Sequence, residues 1–355
     1  MSTMTAAAEK DLFDITFIGA GPVALYGMYY AGLRLMKSKV IDMLGEVGGG
    51  LTALYPEKYI YDMAGFPAIF AKDLVKVMYE QACLYPQTFC MEEKVTGLEH
   101  LDDGTIKITS NKGQHWTKTV VICAGLGSYT PRKFDILNLE KYEGNGVYYF
   151  VNPIDNFINK NVLIVGGGDA AFDYSMMLEK VAKSVTHIHR NSMFTAHEHT
   201  IEKVMNSSVT MKYPFWEIKE IQGNGGVEKV TLHQTKTDEE LTLDIEAIVL
   251  SIGFITDLGP ITDWGLELEK DTIVVDSRMR TNVKGVFAAG DIVAYDGKLK
   301  LISLGCGEVA IAVNNAKHDI DPKAKISPGH STDKHVLALR KIAKQKQKGD
   351  QVAKT

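Results

Sequence analysis

Two glycine clusters carry the clearest chemistry in this sequence. Gly19 and Gly21, with Ala24, form G-x-G-x-x-A between an apolar run from Asp14 to Ile18 and an apolar stretch from Val23 to Leu35. Glycines at that spacing permit a tight turn and a close backbone approach, so the helix that follows can offer free N–H groups and its dipole to a pyrophosphate. Asp42 follows about 20 residues on, where a carboxylate can accept both ribose hydroxyls of an adenosine. Gly166, Gly168 and Ala171 repeat the pattern, with Asp169 and Ala170 at the start of the next helix, but His189 and Arg190 stand where the acid was. A basic residue there suits a ribose 2′-phosphate and points to NADP over NAD. The plainer readings are a merely tight strand-to-helix turn at the first cluster, and a surface ion pair or solvated strand end at Arg190.

Such turns need a strand–turn–helix–strand unit to hold them, and the sequence contains two. DITFIGAGPVALYGMYYAGLRLMKSKVIDM predicts a strand to Ile18, a helix from Val23 to Leu35 and a second strand from Lys39 to Met43. NVLIVGGGDAAFDYSMMLEKVAKSVTHIHR predicts a strand ending at Val165, a helix to about Val181 and a strand to His189. After each comes an alternating stretch, TGLEHLDDGTIKITSNKGQHW in one half and EIKEIQGNGGVEKVTLHQTKTDEELTL in the other, that predicts a β-meander. Each meander then runs into an apolar strand closed by glycine, at Gly125 and at Gly253. No third unit begins after Gly253; VKGVFAAGDI reads as a strand and turn, GEVAIAVNNA as a helix, and a remainder this short must join an existing domain. The expected fold class is α/β: two Rossmann-like dinucleotide-binding domains, each three-layered with a β-meander, the second inserted in the first. The predicted boundaries are 1–125 with 254–333 for the first domain and 126–253 for the second, followed by a basic tail over 334–355.

Length and composition agree with this frame. At 355 residues, 45% apolar and 23% charged, the chain has material for more than one ordinary core, which excludes a disordered or collagen-like protein. A net charge of -5 offers no global attraction to nucleic acid or to an anionic membrane. The cysteines, Cys83, Cys90, Cys123 and Cys306, lack C-x-x-C spacing and read as reduced, mostly buried thiols rather than a disulfide scaffold or zinc site. The N-terminal MSTMTAAAEKDLFD lacks an apolar core segment, and no later window approaches the ~20 apolar residues of a membrane helix, so the expectation is a soluble, cytoplasmic protein.

Two dinucleotide units, one interrupted by the other, resemble the two-dinucleotide flavoprotein superfamily, and TNVKGVFAAGDI is similar to its second FAD motif, in which the aspartate, here Asp291, hydrogen-bonds the ribityl chain. The dithiol of the thioredoxin, lipoamide and glutathione reductases is missing: Phe150-Val151-Asn152-Pro153 precedes the second glycine turn, and LGEVGGGLTALYPEKYIYD follows Asp42. Disulfide reduction by those routes is therefore excluded. Over residues 12–333 the chain resembles the thioredoxin-reductase-like ferredoxin–NADP reductases, through LTALYPEKYIYDMAGFP, VLIVGGGDAAFDY, AHEHTIEK, GVFAAGDI, VNNAKHDIDP and SPGHSTDK.

That resemblance implies an FAD enzyme in which hydride passes between nicotinamide and flavin N5 and electrons pass singly to or from ferredoxin. It implies a homodimer in which Tyr55 stacks on one flavin face and His330, from the partner subunit's C-terminal segment, covers the other. The FAD set is then Gly19, Gly21, Pro22, Asp42, Gly50, Leu51, Tyr55, Tyr59, Val95, Gly125, Asp291, Ser331 and Thr332; the NADP set is Gly166, Gly168, Asp169, Ala170, His189 and Arg190. LISLGCGEVAIAV is expected to bring a helix N-terminus, near Gly307 and Glu308, to the flavin N1/O2 edge. The family's further arginines after Arg190 are replaced by Asn191 and Thr195; His189, Arg190, His197 and His199 are expected to replace them in part, and NADH stands beside NADPH as the nucleotide. Flavodoxin, a quinone or oxygen stand beside ferredoxin as acceptors, and a non-enzymatic flavin or nucleotide sensor is the reading from another class. The tail's lysines, from Lys334 to Lys348 with Arg340, either end the chain in solvent or attract an acidic ferredoxin.

Overall fold

The computed structural model describes residues 11–328 except 126, 135, 137 and 138. His330, Ser331, Thr332 and the basic tail lie outside the described residues. The first stretch forms β1 (Leu12–Ile18), α1 (Pro22–Leu33), β2 (Ser38–Ile41), α2 (Gly50–Ala53), β3 (Tyr59–Ile60), β4 (Ile69–Phe70), α3 (Ala71–Ala82), β5 (Thr88–Cys90), β6 (Val95–His100), β7 (Ile106–Ser110) and β8 (Gln114–Ile122). The middle stretch forms β9 (Ser128–Pro131), β10 (Val147–Tyr148), β11 (Asn161–Gly166), α4 (Asp169–Leu178), β12 (Ser184–Ile188), α5 (Glu198–Met205), β13 (Thr210–Lys212), β14 (Trp216–Gln222), β15 (Lys229–Gln234), β16 (Glu240–Asp244), β17 (Ala247–Ser251) and β18 (Phe254–Asp257). The last forms β19 (Leu268–Glu269), β20 (Thr272–Val274), β21 (Val286–Ala288), β22 (Val293–Ala294) and α6 (Ile302–Ile320).

By its contacts the chain divides into two compact units. One holds the described residues of Met1–Ala53, Tyr59–Ser128 and Thr256–Thr355; the other holds Leu54–Lys58 and Tyr129–Ile255. The short Leu54–Lys58 segment, which the sequence reading leaves in the first domain, groups with the second, where Lys58 Nζ lies 2.6 Å from Asp173 on α4.

In the first unit a seven-stranded sheet runs β5-β2-β1-β8-β7-β6, with β21 also paired to β8. The strands β5, β2, β1, β8 and β21 are parallel, while β6 and β7 join antiparallel as the meander. In this unit the meander runs into the terminating strand without a break. The nine residues of β8 do both jobs, pairing with β7 through Gln114–Thr117 and with β1 as far as Ile122. Helix α1 lies close to the sheet because Gly27 has no side chain: a Cβ there would come within 2.6 Å of both the Phe17 ring and Val309 of α6.

The second unit has its own parallel sheet, β10-β17-β11-β12-β13, and a separate meander, β14-β15-β16. Alternation along β11 explains why VLIV is apolar without a break. Val162 and Ile164 point to the core that includes Phe172 and Leu178 of α4, whereas Leu163 and Val165 point to the core that includes Trp216, Ile218, Val230 and Leu232 of the meander. A strand buried on both faces cannot alternate with polar residues.

Beneath this second sheet's glycine turn sits a fully buried histidine. His187 donates Nε2–H to the Gly166 carbonyl at 3.0 Å, and its Nδ1 lies 2.9 Å from Ser175 Oγ on α4. Burial lowers its pKa from 6.5 to about 4, against the opposing pull of the Gly166 carbonyl. Unfolding therefore takes up a proton between those values, and the stability present above pH 6.5 is lost as the pH falls toward 4, by about 3 kcal/mol. Chemical denaturation of the wild type and of His187→Leu at several pH values should show a shallower acid-side slope in the variant. Parallel slopes would contradict the assignment.

Candidate functional site

In the first unit three separate stretches of backbone meet. Gly19, at φ +97°, closes the end of β1, and a Cβ on it would stand 2.5 Å from the Cys123 carbonyl oxygen at the end of β8. Gly21 is the N-cap of α1, with Pro22 behind it, where a missing N–H costs nothing. The second stretch is the loop into α2: the N–H of Gly48 donates to the Ala20 carbonyl at 2.9 Å, and a Cβ on Gly49 would lie 3.2 Å from the Gly21 Cα. Gly50 and Leu51 open α2 just beyond, Leu51 buried. The third is the turn after β21, where Gly290, at φ +89°, lies against Val23 of α1 and against Gly305 of α6.

Gly21 itself is different. A Cβ there would meet no protein atom within 4 Å, and its φ of −68° requires no glycine. Together with the N-terminus of α1, this open space at a position kept clear of side chain fits a dinucleotide pyrophosphate.

Asp42 follows β2 and is only 7% exposed. Its Oδ2 accepts the Ala20 N–H and its Oδ1 the Leu44 N–H at 2.7 Å, so the carboxylate ties the strand end to the glycine turn. Burial pushes its pKa up while those two donors pull it down. Any ribose must share oxygens already engaged by main chain. Asp291, directly after Gly290, is half-buried, and no hydrogen bond reaches its carboxylate among the described residues; burial pushes its pKa up and Lys298 and Lys300 pull it down. Val95 is buried at the start of β6, and Gly125 takes φ +63° in the turn after β8.

Two aromatic assignments look different in three dimensions. Tyr59 stacks on Phe70 across β3 and β4, ring centroids 4.1 Å apart, which occupies one of its faces. Tyr55 is half-buried in the segment that groups with the second unit, with Lys58 Nζ 5.5 Å from its ring centroid.

The helix expected to begin near Gly307 and Glu308 begins at Ile302 instead. Glu308 therefore lies in its second turn, buried, and accepts the Gly290 N–H at 2.8 Å, the Tyr295 hydroxyl at 2.6 Å and Lys298 Nζ at 2.6 Å. Sequence reading missed this cluster; its only signal was a Gly-x-Gly-Glu within an otherwise apolar helix. The thiols also need correction. Cys123 and Cys306 are buried, burial raising both and taking Cys306 up to about 11, but Cys83 is exposed and Cys90 half-buried.

In the second unit the glycine turn is tightly packed at Gly166 and Gly167. Gly166 has no room for a Cβ, which would lie 2.3 Å from the Ser251 carbonyl oxygen and 2.8 Å from Ala171. Asp169 starts α4 beside Ala170 and accepts the His197 N–H at 2.8 Å, capping α5. His189 does not reach outward as a phosphate ligand would. Its ring covers Gly167, its Nε2 meets the Met193 carbonyl at 3.1 Å, and burial lowers its pKa. Thr195 bonds back to the Gly167 carbonyl through its N–H at 2.8 Å. Arg190 alone projects from the strand end, its side chain 62% exposed and 4.0 Å from Glu217.

These geometries separate glycines needed by the fold from the one left clear. Gly19→Ala adds a left-handed strain and a clash with the Cys123 carbonyl, about 2–4 kcal/mol together. Gly21→Ala changes only a helix cap, within about 1 kcal/mol. Thermal melts of the ligand-free variants should rank them so, and equal losses would contradict the assignment of the open space.

Comparison with known proteins extends the picture. The sequence is 46% identical over 329 residues to a protein of Geobacillus kaustophilus named ferredoxin--NADP reductase, covering 93% of this chain and 99% of that one. It is 47% identical over 325 residues to one of the same name from Halalkalibacterium halodurans, covering 91% and 98%. Among solved structures it is similar to the thioredoxin reductases of T. acidophilum (TM-score 0.75, 26% identity, 88% of this chain and 99% of that one) and Lactococcus lactis (TM-score 0.74, 26% identity, 86% and 97%). Residues 13–316 match the model of the pyridine nucleotide-disulphide oxidoreductases, and the chain belongs to that family.

Proposed function

We propose that this oxidoreductase moves electrons between NADPH and ferredoxin through bound FAD, without a redox-active dithiol. The observation that carries the reading is a pair of glycine turns at helix N-termini, one in each unit, the first open at Gly21 and the second followed by Arg190 at its strand end. The names of the relatives support ferredoxin as the carrier.

When bound, FAD supplies a two-electron acceptor for hydride and a one-electron donor for the carrier. The chain's own groups bind and orient. The first N–H groups of α1 hold the pyrophosphate, Asp42 offers its remaining lone pairs to the adenosine ribose, and Asp291 meets the ribityl hydroxyls. Tyr55 supplies an aromatic face, and His330 of a second copy covers the opposite one. Arg190 holds the 2′-phosphate. Cys123 and Cys306, buried and with raised pKa, are poor thiolates, which supports electron passage without a sulfur relay. A cytoplasmic homodimer completes the reading; among the described residues no helix is long and apolar enough to cross a membrane.

Anaerobic titration of the purified protein with NADPH, then NADH, followed by ferredoxin, tests this directly. Flavin absorbance should bleach with NADPH and recover with ferredoxin, and a protein without flavin would overturn the reading. Gly21→Val should fold yet lose FAD. A charge-assisted contact contributes about 1.5–3 kcal/mol. Arg190→Ala should therefore raise the KM for NADPH at least about tenfold while leaving that for NADH within about twofold. Equal effects on both nucleotides would remove Arg190 from 2′-phosphate recognition.

A further inference from the structure

We propose that Lys298 is a positioning residue for the flavin: through Glu308 it holds the Gly290–Asp291 turn in place and sets the charge beside it. The proposal rests on the FAD reading above.

Glu308 Oε2 accepts the Gly290 N–H, and Oε1 accepts both the Tyr295 hydroxyl and Lys298 Nζ. The side chains of Lys298 and Glu308 are 8% and 2% exposed, so neither charge can fall back on water. Without its cation this carboxylate is an uncompensated buried charge, drawn toward water and away from the Gly290 N–H. Gly290 has little freedom of its own: a Cβ on it would stand 3.3 Å from Val23, and one on Gly305 would stand 3.3 Å from the Gly290 Cα. The turn is thus gripped by α1 and α6 through atoms and by Glu308 through a hydrogen bond.

Glu308 and Asp62 act on the Asp291 carboxylate as like charges, and Lys298 and Lys300 act on it as cations. Lys300 is exposed and screened by solvent; Lys298 is buried and is not. Removing it leaves excess negative charge where a reduced flavin would also carry negative charge.

The test uses the full-length, FAD-loaded protein and two readouts besides turnover: the FAD dissociation constant, from the fluorescence of released flavin, and the flavin midpoint potential. Lys298→Met should raise the dissociation constant at least about tenfold and lower the potential. Lys298→Arg should keep both near wild type. In the double variant Lys298→Met/Glu308→Gln the neutral amide still accepts the Gly290 N–H but needs no cation, so FAD retention should recover most of the loss. Glu308→Gln alone should raise the potential, and this arm stands even if Lys298→Met fails to fold. Bound FAD with unchanged affinity and potential across these variants would overturn the role of Lys298. A wild-type protein that holds no FAD would overturn the FAD reading, and this proposal with it.

Discussion

Main chain touching main chain is the constraint on which the first unit's site depends. Gly19 meets the Cys123 carbonyl, Gly49 meets Gly21, and Gly290 meets Gly305, and in none of these places is there slack for an ordinary side chain. Parallel pairing explains why the stretches converge. Since β1, β2, β8 and β21 run the same way, the turns that leave them all emerge at one edge of the sheet. Loops at the carboxyl edge of a parallel sheet are where α/β proteins bind ligands. Each glycine removes a Cβ that would otherwise hold two of these turns apart, and Gly21 is the position where the removal leaves open space.

The two units secure the same kind of turn with opposite electrostatics. In the first, buried carboxylates do it: Asp42 takes the Ala20 and Leu44 N–H groups, and Glu308 takes that of Gly290. In the second, a neutral imidazole does it, His187 donating to the Gly166 carbonyl. A carboxylate can accept from several donors, so it suits a turn whose N–H groups need partners; an imidazole N–H suits a turn with a spare carbonyl. Burial charges each differently. Burial pushes the Asp42 pKa up and its two donors pull it down, whereas burial keeps His187 neutral with no further help.

Much of this was legible in the sequence because it depends on local pattern. Continuous apolar strands, glycine turns and apolar helices are visible one window at a time, and VLIVGGG and TFIGAG announce buried parallel strands that end in tight turns. What escaped depends on partners distant in sequence. The destination of the Glu308 carboxylate is set by Gly290 and Lys298, and that of Asp169 by His197. His189 reads as a phosphate ligand beside Arg190, yet just past the end of β12 its imidazole turns in over Gly167 while Arg190 stays exposed. The start of α6 was misplaced because Ile302–Leu304 is as apolar as the strands before it, and periodicity over so few residues does not separate a helix from a strand.

On the proposed reading, that inward turn of His189 would leave nucleotide choice to Arg190. Around the second glycine turn, Asp169 is committed to α5, Thr195 to the Gly167 carbonyl and His189 to the Met193 carbonyl. Arg190 stays exposed at the strand end, and its ion pair with Glu217 at 4.0 Å contributes no more than about 1 kcal/mol. On the proposed reading, a 2′-phosphate would make shorter, charge-assisted bonds and carry more charge than Glu217, and would displace it at a net gain. With a single contact contributing about 1.5–3 kcal/mol net, discrimination between the phosphorylated and unphosphorylated nucleotides would be bounded at about 10- to 150-fold. A preference built on one arginine would therefore be shallow, and open to change by a second cation at Asn191, which stands exposed beside it.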